Sequence, residues 1–161
     1  MLTLVSIAIH FVVADMGCGE AVLAASVPHK VYSFDMKALN ERVTVADMAN
    51  TPLQSGSVNM VVFCLSLMGT NITQFIQEAH RVLAAEGVLW ISEVSSRFNR
   101  DMKTFSDGVE SIGFKCTSCN TDMTHFATLT FKKTQSKAVT GKQRKSKVVD
   151  ISLAPCLYKK R

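Results

Sequence analysis

The stretch Val12-Val13-Ala14-Asp15-Met16-Gly17-Cys18-Gly19 constrains this chain more than any other. An apolar run ends in an acid, and glycines follow that acid at its second and fourth positions. A buried strand that runs into such a turn lets backbone pass close to a ligand, because no Cβ stands in the way. A second apolar run, Val31-Tyr32-Ser33-Phe34, closes on Asp35, sixteen residues beyond Gly19. Glycines at one strand's carboxyl end, with an acid ending the next strand, predict an adenosine site on a Rossmann-like sheet. A dinucleotide fingerprint would carry a further Gly or Ala three residues after Gly19, where this chain has Val22. Val22 argues against a pyrophosphate ligand and a nicotinamide-dependent dehydrogenase. It leaves room for a ligand without phosphates, of which S-adenosylmethionine is the obvious one.

Short apolar runs alternate with helical patterns along the chain, which predicts βαβ units, an α/β fold and a mostly parallel sheet. Strands are expected near 11–15, 31–35, 43–46, 58–64 and 87–93. Met60-Val61-Val62-Phe63-Cys64 is apolar on consecutive residues, as in a strand covered on both faces. Ile72, Phe75, Ile76, Ala79, Val82 and Leu83 recur at spacings of three and four. They mark an amphipathic helix over 71–83, with Thr70 or Asn71 at its cap and His80 on its solvent side. A second helix is expected over 102–111, ended by Gly113. Phe114–Ser118 and Phe126–Lys132 read as two strands able to pair antiparallel at the sheet edge. Ile151–Tyr158 turns apolar and is expected to return to the sheet.

Three strand ends carry acids. Asp35 can accept both hydroxyls of a ribose, since a carboxylate has lone pairs enough for two donors. Asp47, after Ala46, can accept from an adenine amine, with Met48 packing on the purine face. Asp35 has a structural alternative as a strand-end acid capping the next helix, and the Asp47 signal gains weight as the third consecutive strand-end acid. Cys64 closes the fourth strand, at the lip that runs to Gly69. It can line the ligand or serve as a small core hydrophobe. His10, His29, His80 and His125 do not cluster, so no metal and no catalytic base is assigned. Cys116-Thr117-Ser118-Cys119 is a lone CxxC with no second pair, which leaves two ordinary thiols.

Hydrophobic residues make up 47% of the 161 residues and charged residues 19%, values of a folded domain and not of a disordered chain. The net charge of +5 hides an asymmetry. Residues 132–161 hold ten Lys/Arg and one acid, whereas residues 1–131 hold eight Lys/Arg and twelve acids. A basic segment on an acidic body points to a polyanion partner, nucleic acid first. The Lys/Ser/Thr/Gln-rich stretch 134–147 reads as a flexible basic loop. Met1–Ala14 has no basic start and is shorter than the roughly 20 residues of a membrane span. Five cysteines without scaffold spacing fit a reducing compartment.

The motifs together resemble the nucleolar ribosomal-RNA-processing methyltransferases. The matching stretches are Val12–Gly19, Arg42–Ala49, Val62–Asn71, Glu93–Phe98 and Pro155–Arg161. The glycine turn is common to all class I methyltransferases, and the other stretches are more specific. The resemblance covers about residue 11 to the end. It implies a seven-stranded Rossmann-like class I methyltransferase, mostly parallel with an antiparallel edge strand. It also implies S-adenosyl-L-methionine as cofactor, with Gly17, Asp35, Asp47, Met48 and Cys64 as its contacts and Asp15 and Gly19 shaping the turn. It implies N1 of an adenine in large-subunit ribosomal RNA as the target, with ribosomal RNA and nucleolar or chromatin proteins as partners in the nucleolus. The family's Pro-Gly turn before the fifth strand is replaced by Ala85-Glu86-Gly87. Relatives also carry a cofactor-contacting histidine and lid helices ahead of the first strand. Only Met1–His10 stand there in this sequence, so a single methyltransferase domain without that lid is expected. Two other readings share these motifs: a catalytically weak S-adenosylmethionine-sensing RNA- or chromatin-binding protein, and a small-molecule methyltransferase, which leaves the basic segment unexplained.

Overall fold

The computed structural model describes residues 11–99, 101–120, 125–134 and 151–155. Seven strands form one sheet: β1 (Val12–Met16), β2 (Lys30–Asp35), β3 (Val43–Val45), β4 (Val58–Cys64), β5 (Leu83–Val94), β6 (Phe114–Asn120) and β7 (Phe126–Lys133). Their order is β3-β2-β1-β4-β5-β7-β6. Strands β1 to β5 pair parallel, and β7 pairs antiparallel with both β5 and β6. The antiparallel strand thus sits one position in from the edge, with β6 outermost. The chain order reverses between β1 and β4, and open α/β sheets bind ligands outside the strand ends at such a switch point.

Three helices connect the strands: α1 (Val22–Ser26), α2 (Ile72–Val82) and α3 (Met102–Ser111). The spacing of three and four in α2 buries Ile72, Phe75, Ile76, Ala79 and Val82. These residues and Phe105 and Val109 of α3 pack on Ala14, Met16, Phe34, Val61, Phe63, Leu89, Ile91, Leu129 and Phe131, which line one face of the sheet. Alternate strand residues face the other way. There Asp15, Val62, Cys64 and Trp90 meet α1, a single short turn of helix with no buried residue.

Three details depart from the sequence reading. His80 does not face solvent freely: its ring stands edge-on to Phe114 with centroids 5.2 Å apart, and its Nε2 is buried without a hydrogen-bond partner. Burial, then the nearby Lys133, hold its pKa below the usual value. Residues 151–155 do not join the sheet. Ile151 inserts beside Gly108 of α3 and its N–H donates to Thr73 Oγ1 of α2 at 2.9 Å. The segment is a strap across the helical layer. The fifth strand also starts earlier than expected, at Leu83. Glu86 adopts φ 62° and the β4–β5 register shifts nearby, so the Ala85-Glu86-Gly87 kink lies inside the strand. A Cβ on Gly87 would lie 2.9 Å from the Ala84 carbonyl oxygen. The stretch 135–147 of the expected basic loop, residues 156–158 of the expected return to the sheet, and His10 lie outside the described residues.

A buried acid ties the loop after β3 to α2. Glu78 Oε1 accepts from the Thr51 N–H and Oγ1, both at 2.7 Å, and Arg81 grips both Glu78 oxygens at 2.7 Å. Burial alone would raise the Glu78 pKa, but the hydrogen bonds from Arg81 and Thr51 outweigh it and hold the group below its ordinary 4.5. A depressed carboxylate pKa stabilises the fold above the unfolded-state value, and that contribution is lost as pH falls through the folded-state value. Glu78→Gln is therefore expected to cost about 1–3 kcal/mol at pH 7. In urea titrations at stepped pH, the gap to the parent chain should close below about pH 4.

Candidate active site

The turn after β1 builds the centre of the crevice. Gly17 takes φ +74°, and its N–H donates to the Phe34 carbonyl at 2.8 Å. A Cβ there would lie 2.5 Å from Ser66 Cβ and 3.2 Å from Met48 Sδ. Glycine is required by both the backbone angle and the packing. Two clefts open on either side of Gly17, with cavity volumes of about 390 Å³ and 310 Å³. The larger is lined by Asp35, Met48 and the lip after β4, through Leu65, Ser66 and Met68. The smaller is lined by Asp15, Cys18, Cys64 and Trp90, with Val22 and Leu23 of α1.

The sequence placed five residues at this site, and the sheet brings four of them to the clefts. Gly17 is shared by both clefts, Asp35 and Met48 line the larger, and Cys64 lines the smaller. Asp35 is held by the turn it faces. Its Oδ2 accepts from the Gly19 N–H at 2.9 Å and its Oδ1 from the Lys37 N–H at 3.3 Å, which leaves a lone pair on each oxygen toward the cleft. Asp47 sits differently. Its exposed carboxylate accepts from the Ala49 N–H at 2.8 Å, closing its own turn, and it is not among the lining residues.

Asp15 is the group that sequence reading undervalued. Its side chain is buried at the smaller cleft, and no donor among the described residues reaches its carboxylate. Burial, reinforced by the Asp35 charge, raises its pKa from 3.8 to about 6. The same two acids, after burial, push the Cys18 thiol up to about 11, so Cys18 is not a nucleophile at neutral pH. Burial, Asp15 and Glu93 raise Cys64 as well. The smaller cleft is therefore lined by acid without a cation among the described residues, suited to a positively charged ligand group. Among the described residues no group of three or more His, Cys, Asp or Glu side chains could hold a metal ion.

The lip is fixed from below by a buried ion pair that the motif Glu93–Phe98 supplies. Arg97 Nη1 donates to Glu93 Oε2 at 2.7 Å, both side chains being almost fully buried. The other Glu93 oxygen accepts from the Leu67 N–H at 2.9 Å, and Arg97 Nη2 donates to the Leu67 carbonyl at 2.7 Å. Leu65 at the front of the lip takes φ 55°, a costly angle for a branched residue, with its N–H on the Ser92 carbonyl at 2.9 Å.

A family model described as a hypothetical methyltransferase matches residues 4–161. The chain belongs to that family. It is 49% identical over 150 residues to the ribosomal RNA-processing protein 8 of Mus musculus, a match that covers 93% of this chain and 32% of the mouse protein. It is 36% identical over 193 residues to the 25S rRNA (adenine(645)-N(1))-methyltransferase of Saccharomyces cerevisiae, covering 94% of this chain and 49% of the yeast protein. The chain thus spans about a third to a half of the length of these relatives, and the resemblance read from the motifs holds across it. Among solved structures, the putative S-adenosylmethionine dependent methyltransferase from Listeria monocytogenes superposes with a TM-score of 0.63. The identity is 14%, and the match covers 79% of this chain and 92% of that one. At that identity the likeness concerns the fold, the Rossmann-like methyltransferase architecture.

The raised Asp15 pKa has a stability consequence. An acid that holds its proton longer in the folded state stabilises the fold below its unfolded-state pKa, and this is lost as pH rises through the folded-state value. The Asp15 contribution should be lost between about pH 4 and pH 6 and level off above. Asp15→Asn is expected to remove that slope and to gain about 2 kcal/mol at pH 7. Denaturant midpoints across this range check it.

Proposed function

We propose that this chain is an S-adenosylmethionine-dependent methyltransferase module acting on N1 of an adenine in large-subunit ribosomal RNA, in the nucleolus during ribosome assembly. The yeast relative's name states that reaction, and the mouse relative's name states ribosomal RNA processing. The observation that carries the reading here is the pair of clefts joined at Gly17, one acid serving each.

The residues suit the cofactor part by part. The free lone pairs of Asp35 fit two ribose hydroxyls. Met48 and the lip residues Leu65 and Met68 offer soft apolar faces for a purine. Asp47 uses one oxygen on the Ala49 N–H and keeps the other for an adenine amine. Asp15 offers an unpartnered carboxylate to the ammonium of the methionine end, beside Cys64 and Trp90. When bound, the cofactor supplies a methyl group on an activated sulfonium. What remains for the protein is to align donor and acceptor and keep water out. Neutral adenine N1 carries its own lone pair, so the site needs no general base. The base must leave its helix to reach the crevice. The eight Lys/Arg of residues 134–161 supply phosphate contacts, which are salt-dependent and blind to sequence; Lys132 and Lys133 are already engaged, by Glu86 and by the His80 and Leu83 carbonyls.

The test is transfer of labelled methyl groups from S-adenosylmethionine to large-subunit ribosomal RNA, with the modified position read as a primer-extension stop. Label should collect at one adenine, and Asp35→Ala should cut the rate about 10- to 100-fold through lost hydrogen bonds to the ribose. Cofactor binding without any label in the RNA would contradict the proposed activity.

A further inference from the structure

We infer that Arg97 is a positioning residue for the cofactor cleft, and that the strap 151–155 is part of the same positioning device. The argument begins at Leu67. Its side chain is fully buried, and its N–H and carbonyl are clasped by Glu93 and Arg97. Its neighbours Ser66 and Met68 line the larger cleft. Ser66 packs so closely on Gly17 that a Cβ there would collide with it. A shift of Leu67 therefore changes the spacing between the lip and the glycine turn, which is the width of the cleft.

Arg97 has a second grip, on the other side. Its Nε donates to the Ala154 carbonyl at 2.9 Å, and the Ala154 N–H donates back to the Arg97 carbonyl at 2.8 Å. One guanidinium thus binds the lip and the strap at once, using three of its nitrogens on three acceptors. This needs a planar fork with fixed donor directions, which lysine lacks. The strap is itself anchored by Ile151, through Thr73 and the surface of Gly108. Ala154 touches neither cleft, yet it shares Arg97 with the lip that does.

The inference rests on the cofactor reading above, and the test separates the two. Arg97→Lys keeps a charge beside Glu93 but cannot reach both carbonyls. Ala154→Pro removes the strap's N–H and leaves every cleft residue in place. Calorimetry with S-adenosylmethionine on the full chain gives stoichiometry and Kd separately. A purely structural role would lower the binding-competent fraction and leave Kd unchanged. The positioning role predicts near-full stoichiometry in both variants, with a Kd raised about tenfold by Arg97→Lys, the loss of one charge-assisted hydrogen bond, and about threefold by Ala154→Pro, the loss of one neutral backbone bond. Amide exchange in the ligand-free proteins gives the second measurement. Leu67 and Met68 should exchange faster in both variants while Phe75 and Ile76 of α2 stay protected. Should Ala154→Pro fail to fold, Arg97→Lys carries both measurements. Unchanged Kd and unchanged exchange at Leu67 would overturn the inference. No binding heat from the parent chain would overturn the cofactor reading instead, and exchange at Leu67 would then decide the coupling.

Discussion

The buried pair Glu93–Arg97 holds together what the topology alone leaves loose. The sheet fixes where β4 and β5 end, but the lip after β4 lacks regular structure and includes Leu65 at a strained angle. Glu93 at the end of β5 and Arg97 in the turn Ser95–Phe98 supply that lip with both hydrogen bonds of its central residue. Buried ion pairs are poor sources of net stability, because desolvation offsets most of their attraction, whereas removing one partner costs about 3–5 kcal/mol. Geometry is what this pair contributes. It converts an irregular segment into a fixed wall at the switch point of the sheet.

Asp15 shows the opposite economy. Glu78 and Glu93 are buried with donors on their oxygens, and both hold structure in place. Asp15 is buried beside a cleft with no donor to it among the described residues, and burial with the Asp35 charge raises its pKa. A carboxylate kept unpartnered destabilises the ligand-free protein and favours a ligand that brings positive charge. The contrast separates an acid of the scaffold from an acid of the site more sharply than their places in the sequence do.

Much of this was legible in the sequence. Hydrophobic runs set the strands, and the spacing in Ile72–Val82 set both the helix and its buried face. The acids at strand ends and the glycine turn placed the crevice. What could not be read were the contacts between segments distant in sequence. His80 lies in a helical pattern that suggests solvent, and only the packing of β6 against α2 brings Phe114 to its ring. Asp47 looks equivalent to Asp35, yet one of its oxygens accepts from the Ala49 N–H in its own turn, a local contact that the strand-end pattern does not show. The strap was read as sheet because its residues are apolar, a property that does not distinguish a strand from a segment lying on helices. The Glu93–Arg97 clamp left one trace, an acid and an arginine four residues apart in an otherwise apolar and hydroxyl-rich stretch. Its partners Leu67 and Ala154 carry no signal at all, since they take part through their backbone.

The central claim is that the crevice binds S-adenosylmethionine with its cationic end against Asp15. Calorimetric titration in two buffers of different ionisation enthalpy at pH 5.5 tests it, because the difference in heat counts protons. With the ligand-free Asp15 pKa near 6, an ammonium bound beside it forces the carboxyl to ionise. About three-quarters of a proton should be released per ligand bound. Equal heats in the two buffers, meaning no proton released, would contradict the account.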